Sequence, residues 1–174
     1  METKVLVAYA SSYGSTQEIA EVISETLRSQ GLAVDLQPIQ NVRILEGYSA
    51  VVLGAPLYMF HWHKDALHFL SQHRKILADN LSVAIFAGGP FGKGDEKEWQ
   101  EVRALFDREL AKFPWLTPIS VYIVGGRFDP TKLRFPYNLI PVLKKMPASD
   151  LRDWVTIRTW ASSLAAQLLP NLPQ

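Results

Sequence analysis

Ser11-Ser12-Tyr13-Gly14-Ser15-Thr16 follows the apolar run Val5-Leu6-Val7-Ala8-Tyr9 and precedes an amphipathic stretch, so it reads as the turn between a first strand and a first helix. Its small and hydroxyl-bearing residues gather backbone N–H groups and side-chain donors at a helix N-terminus, where a phosphate is favoured. The turn has no Lys and only one Gly. That excludes both the Lys-bearing loop that grips nucleoside triphosphates and the three-glycine dinucleotide turn. A cradle of neutral donors suits a phosphate monoester that is neither released nor transferred. A single hydroxyl residue would more simply cap the helix, but a run of four beside Tyr13 and Gly14 favours phosphate.

Outward from this turn, strands and helices alternate. Lys4 to Ala10 is a buried strand, and Ser15 to Gln30 a helix with Ile19, Ala20, Ile23 and Leu27 inward, closed by Gly31. Leu32 to Ile39 forms a second strand and Tyr48 to Ala55 a third, followed by a turn at Pro56 and a helix from about His63 to Leu77. Leu81 to Ala87 is a fourth strand, Glu96 to Phe113 a helix, Ser120 to Gly125 a fifth strand and Asp150 to Leu169 a last helix, with Asp150 as N-cap. Trp154, Ile157, Ala161, Leu164 and Leu168 share its inner face, which leaves Asp153 and Arg152 as cap and surface charge. This order predicts one α/β domain over residues 1–174. A parallel sheet is covered on both faces, and ligands sit beyond the carboxyl ends of its strands.

The composition narrows the chemistry. The 174 residues include no Cys, which removes disulfides, thiolate metal sites and cysteine nucleophiles, so a redox function requires a bound cofactor. The net charge of +1 makes no case for nucleic acid. A start without signal-peptide character sets a cytoplasmic location as the expectation, and no apolar run is long enough to span a bilayer. His61 and His63 lack a third ligand at recognisable spacing, so no metal is expected. His68 and His73 fall on a helix and are expected in solvent.

Two further loops lie at the same sheet end. Ala55-Pro56-Leu57-Tyr58-Met59-Phe60-His61-Trp62-His63 is rich in aromatic and imidazole rings, and Gly88-Gly89-Pro90-Phe91-Gly92-Lys93-Gly94-Asp95 permits close backbone approach beside one ring. Tyr58, Phe60 and Trp62 are candidate ring contacts, Tyr58 foremost. A phosphate cradle beside aromatic and glycine-rich walls fits a planar ring system with a phosphate on a short tail, which describes flavin mononucleotide.

Ser11, Tyr13, Gly14 and Thr16 fall on the pattern Thr/Ser-x-Thr-Gly-x-Thr, and with the order of elements the chain resembles the flavodoxin-like family along its full length. Tyr13 departs from the small hydroxyl residue of that pattern. The resemblance implies a three-layer α/β/α fold with strand order 2-1-3-4-5. It places the cofactor phosphate on Ser11, Ser12, Tyr13, Gly14, Ser15 and Thr16, and the flavin ring between Pro56-Leu57-Tyr58 and Gly88-Gly89-Pro90-Phe91. The flavin would carry out the redox step, and no catalytic acid or base stands out.

Arg127 to Ser149 interrupts the rhythm as a long insertion with its own short helix around Tyr137 to Lys145. From Arg127 to Arg158 there are seven Lys or Arg against three Asp. A solvated face explains this as well as a surface for anionic lipid or a quinone-bearing partner does. Gly125-Gly126-Arg127-Phe128, Ile140 to Met146, Asp150 to Trp154, Ile157-Arg158 with Trp160, and Gly54 to Tyr58 with His61 and His63 resemble the flavodoxin-domain branch that includes menaquinone-dependent protoporphyrinogen oxidases. In those oxidases the region before the last helix is longer and more basic. The narrower resemblance implies an oxidoreductase acting on a porphyrinogen or quinol with a quinone acceptor. The other reading is a flavodoxin-type electron carrier without its own substrate, and a binding module that has lost its cofactor stands third.

Overall fold

The structure, a computed structural model, describes residues 3–11, 13–58, 60–89 and 94–169. Strand β1 (Lys4–Tyr9) leads into helix α1 (Ser15–Ser29), then β2 (Ala33–Pro38) and β3 (Ala50–Tyr58). A two-residue β4 (His61–Trp62) follows, then α2 (Lys64–Gln72), α3 (Arg74–Asp79), β5 (Ser82–Gly88) and α4 (Glu96–Leu110). After β6 (Ser120–Val124) come β7 (Arg127–Phe128), a short α5 (Pro141–Lys145), β8 (Ser149–Asp150) and α6 (Trp154–Leu168). The main strands stand parallel in the order β2-β1-β3-β5-β6, with β4 antiparallel on β3. Leaving β4 aside, this is the expected 2-1-3-4-5 order.

The sheet is covered on both faces, which is why its central strands are apolar without alternation. Leu6 and Ala8 of β1 join Phe69, Leu70 and Phe106 on one face. Val5 and Val7 join Ile19, Ile23 and Leu27 of α1 and Ile157, Ala161 and Leu164 of α6 on the other. The predicted inner faces of α1 and α6 are therefore the observed ones.

Four local expectations need correction. The chain does not turn at Pro56: β3 runs on to Tyr58, with Pro56 paired to Gly88 of β5. The helix expected from His63 to Leu77 breaks at His73 into α2 and α3, and His73 packs on the Phe69 ring at 4.7 Å rather than standing free in solvent. Asp153, not Asp150, caps α6, accepting from the Thr156 N–H at 3.1 Å. Asp150 instead belongs to β8, which pairs with β7 and closes the insertion at its base. The short helix around Tyr137 to Lys145 is split into a 3-10 turn at Tyr137–Leu139 and α5, because Pro141 restricts Ile140 to extended backbone.

Candidate functional site

The β1–α1 turn differs from the starts of α2, α4 and α6. Gly14 takes left-handed backbone, φ 87°, at the N-cap of α1, a conformation that costs a side-chain-bearing residue about 1–2 kcal/mol. Its N–H donates to Ser11 Oγ at 2.9 Å, which closes the turn on itself. No side chain caps α1 among the described residues, whereas His63, Asp95 and Asp153 cap α2, α4 and α6. Among the described residues the first-turn N–H groups of α1 thus have no side-chain cap, and an anion complements such groups. Among the described residues, that is an observation on which a phosphate cradle fits.

Tyr13, Gly14 and Ser15 are half-buried, and Thr16 is buried beneath them with its Oγ1 toward Gly88. Ser12, Pro90 and Phe91 lie outside the described residues. A Cβ on Gly88 would come 3.2 Å from the Pro56 Cα, so the close approach of β3 and β5 beside the turn depends on glycine there. The Gly89 N–H is committed to the Val124 carbonyl on β6. Leu57 turns its side chain into the core, while Tyr58 stays half-buried at the site. Ser11, Tyr13 to Thr16, Pro56, Tyr58 and Gly88 are brought to one sheet end.

Of the aromatic trio in the second loop, Trp62 is a core residue. Its indole Nε1–H donates to the Ala55 carbonyl at 2.9 Å and its ring meets Phe106 edge-on. Phe60 is the exposed tip of the β3–β4 hairpin, held at φ 70°. Tyr58 packs edge-on to Tyr13 at 6.1 Å and at a tilt to His63 at 6.3 Å, which makes a row of rings across the site. His63 Nδ1 accepts from the Asp65 N–H, and burial holds its pKa below the ordinary value, so the ring is neutral at pH 7.

The hairpin is fixed from below by Glu109 of α4, a residue the helical pattern gave no reason to single out. Its side chain is 4% exposed, and it accepts from the Trp62 N–H at 3.1 Å and from Lys112 at 2.7 Å, with His61 at 3.5 Å. Burial alone would raise this carboxyl. The Lys112 ammonium, the Trp62 N–H and His61 outweigh that and hold it below its usual range.

Arg152 is the clearest departure from expectation. It is not a surface charge: its side chain is 4% exposed. The guanidinium grips Asp150 with Nε at 2.9 Å and Nη2 at 2.8 Å, reaches Glu18 of α1 at 2.7 Å and lies over the Trp154 ring at 4.8 Å. It holds the Asp150 carboxyl below the usual carboxylate range. Arg127 of β7 meets the other Glu18 oxygen at 3.6 Å. The insertion is therefore clasped to the first turn of α1, directly behind the Ser11 to Thr16 turn. Spacing could not reveal this, since Glu18 and Arg152 are distant in sequence.

Clasped in this way, the insertion roofs the sheet end. A cavity of about 140 Å³ lies between Tyr13, Ser15 and Tyr58 on the sheet side and Phe128, Leu133, Tyr137 and Leu143 on the insertion, with Arg127, Asp129 and Lys132 also in its wall. A second, more open space is lined by Tyr9, Ser11, Gly14, Gln17, Lys132 and Arg134.

Comparison with known proteins agrees with this architecture. The flavodoxin 1 of Bacillus cereus superposes with a TM-score of 0.60 at 18% identity, over 98% of this chain and 100% of that one. A protoporphyrinogen IX dehydrogenase [quinone] of Escherichia coli is 22% identical over 93% of this chain and 94% of its own length. A protein of the same description from Leishmania major is 22% identical over 98% of this chain and 78% of its own. The family model described as flavodoxin domain matches residues 6–146. The chain thus belongs to the flavodoxin-domain family, whose cofactor is flavin mononucleotide.

Proposed function

We propose that this chain is a flavin-mononucleotide oxidoreductase that takes electrons from a porphyrinogen-like or quinol-like substrate and passes them to a quinone. The observation that carries the reading is the cavity between Tyr58, Tyr13 and the insertion: a space beside the cofactor turn walled by rings and leucines, with Arg127 and Lys132 in the same wall, supports a ring-bearing second reactant. When bound, flavin supplies two-electron redox chemistry. The residues of this chain set its place: Ser11 to Thr16 hold the phosphate at the uncapped start of α1, and Pro56 to Tyr58 with Gly88 to Phe91 border the ring.

The outer face of the insertion supports a quinone acceptor. Phe135, Leu139, Ile140 and Val142 are exposed large apolar side chains, and Lys144 and Lys145 adjoin them on α5. Apolar side chains flanked by lysines suit the surface of an anionic bilayer, where lipid-soluble quinones reside. No helix among the described residues is long and apolar enough to cross a membrane, so this contact is peripheral. We place the protein in the cytoplasm with the insertion toward the membrane.

Full-length superposition on flavodoxins favours a second reading, an electron carrier with no substrate of its own. Flavin-loaded protein, supplied without oxygen with protoporphyrinogen and a soluble menaquinone analogue, separates the two. The enzyme reading expects quinol formed in step with substrate oxidation, one quinone per two electrons. Electron relay from a flavin reductase to an acceptor, without porphyrinogen-dependent turnover, would establish the carrier.

A further inference from the structure

We infer that Lys132 and Arg134 of the insertion form a cationic clasp on the cofactor's phosphate, so that the insertion, and not the β1–α1 turn alone, retains the flavin. The inference rests on the flavin reading and concerns residues outside the phosphate turn. Lys132 and Arg134 line one open space together with Ser11, Tyr13 and Gly14. Neither forms a close ion pair among the described residues. Asp129, the acid closest to them in sequence, is held by the N–H and hydroxyl of Thr131 and feels the Lys132 charge only through space.

Their placement is held by the fold. The ion pairs of Arg127 and Arg152 with Glu18 tie the base of the insertion to the first turn of α1. The Tyr13 ring packs edge-on against Tyr58. A turn of neutral donors is complemented by two cations lining the same space. A phosphate monoester, close to doubly charged at neutral pH, gains from both.

The test is flavin fluorescence quenching by wild-type protein and by the double variant Lys132→Gln, Arg134→Gln, with flavin mononucleotide and with riboflavin, in low and in high salt. Exposed charge pairs each change an affinity by roughly two- to fivefold, so the double variant is expected to bind flavin mononucleotide about tenfold more weakly in low salt. Riboflavin, which lacks the phosphate, should bind both proteins alike, and high salt should close the gap for flavin mononucleotide. Lys132→Arg with Arg134→Lys should restore wild-type affinity, and melting temperatures of the ligand-free proteins control for folding. Equal affinities of wild type and double variant for flavin mononucleotide would overturn the clasp, as would equal losses for both flavins. If wild-type protein binds neither flavin, the cofactor assignment itself falls, and the clasp with it.

Discussion

The β1–α1 corner and the 127–149 insertion meet at one site but are held by different forces. Val5 to Ala8 are wholly buried between two layers of helices. No residue from 127 to 149 is buried to that degree, and the insertion is fastened by the β7–β8 pair and by Arg127 and Arg152 on Glu18. Apolar burial holds the corner at any salt or pH, whereas charge holds the insertion. On the reading proposed above, the rigid corner seats the cofactor, and the charge-fastened insertion both clasps its phosphate and borders the second reactant.

Substitutions can break this comparison from the rigid side outward. Phe86→Ala removes a fully buried ring that meets Trp160 edge-on, and should cost about 3–5 kcal/mol, read as a large fall in melting temperature. Glu109→Gln removes the charge that anchors the β3–β4 hairpin and should cost roughly 1–3 kcal/mol near neutral pH. Because the folded carboxyl titrates below its unfolded value, its stabilisation is complete above the unfolded pKa and fades as pH falls through the folded one. Denaturant unfolding across acidic pH should therefore show a shallower loss of stability in the Gln variant.

Arg152→Met tests the insertion side. Its partners Glu18 and Asp150 are about half exposed, so the expected cost is only about 1 kcal/mol. The signature should be local: faster proteolytic cleavage within 127–149 at nearly unchanged global stability. Val142→Asp, at an exposed position, should leave the stability within roughly 0.5 kcal/mol of wild type while reducing sedimentation with anionic vesicles. Equal vesicle binding by wild type and variant would remove the membrane-facing role of this surface.

The fold was legible because its signals are local and repeated. Continuous apolar runs such as Val5 to Tyr9 and Val51 to Ala55 mark doubly covered parallel strands, and Ile19, Ile23 and Leu27 mark a helix face. The turn between β1 and α1 was legible for the same reason, since its residues are consecutive. Arg152, Glu18 and Glu109 were not, because a buried charge takes its meaning from partners brought close only by folding. Asp150 and Asp153 illustrate the limit at short range. Both satisfy the composition of a helix cap, and pairing of β8 with β7 decides that only Asp153 serves as one. Trp62 likewise looked like Tyr58 in sequence, until the β3–β4 hairpin turned one ring inward and left the other at the site.

The central claim is that flavin mononucleotide binds at the uncapped start of α1. Titration of ligand-free protein with flavin mononucleotide, followed by absorbance and by melting temperature and repeated with Gly14→Val, tests it most directly. The account expects one flavin per chain with a shifted flavin spectrum. At a hundredfold excess over Kd it also expects a rise of roughly 5–10 °C, from about 2.7 kcal/mol of linkage. Gly14→Val, which forces a branched side chain into left-handed backbone, should weaken binding markedly. An unchanged spectrum and an unchanged melting temperature for the wild-type protein would contradict the account.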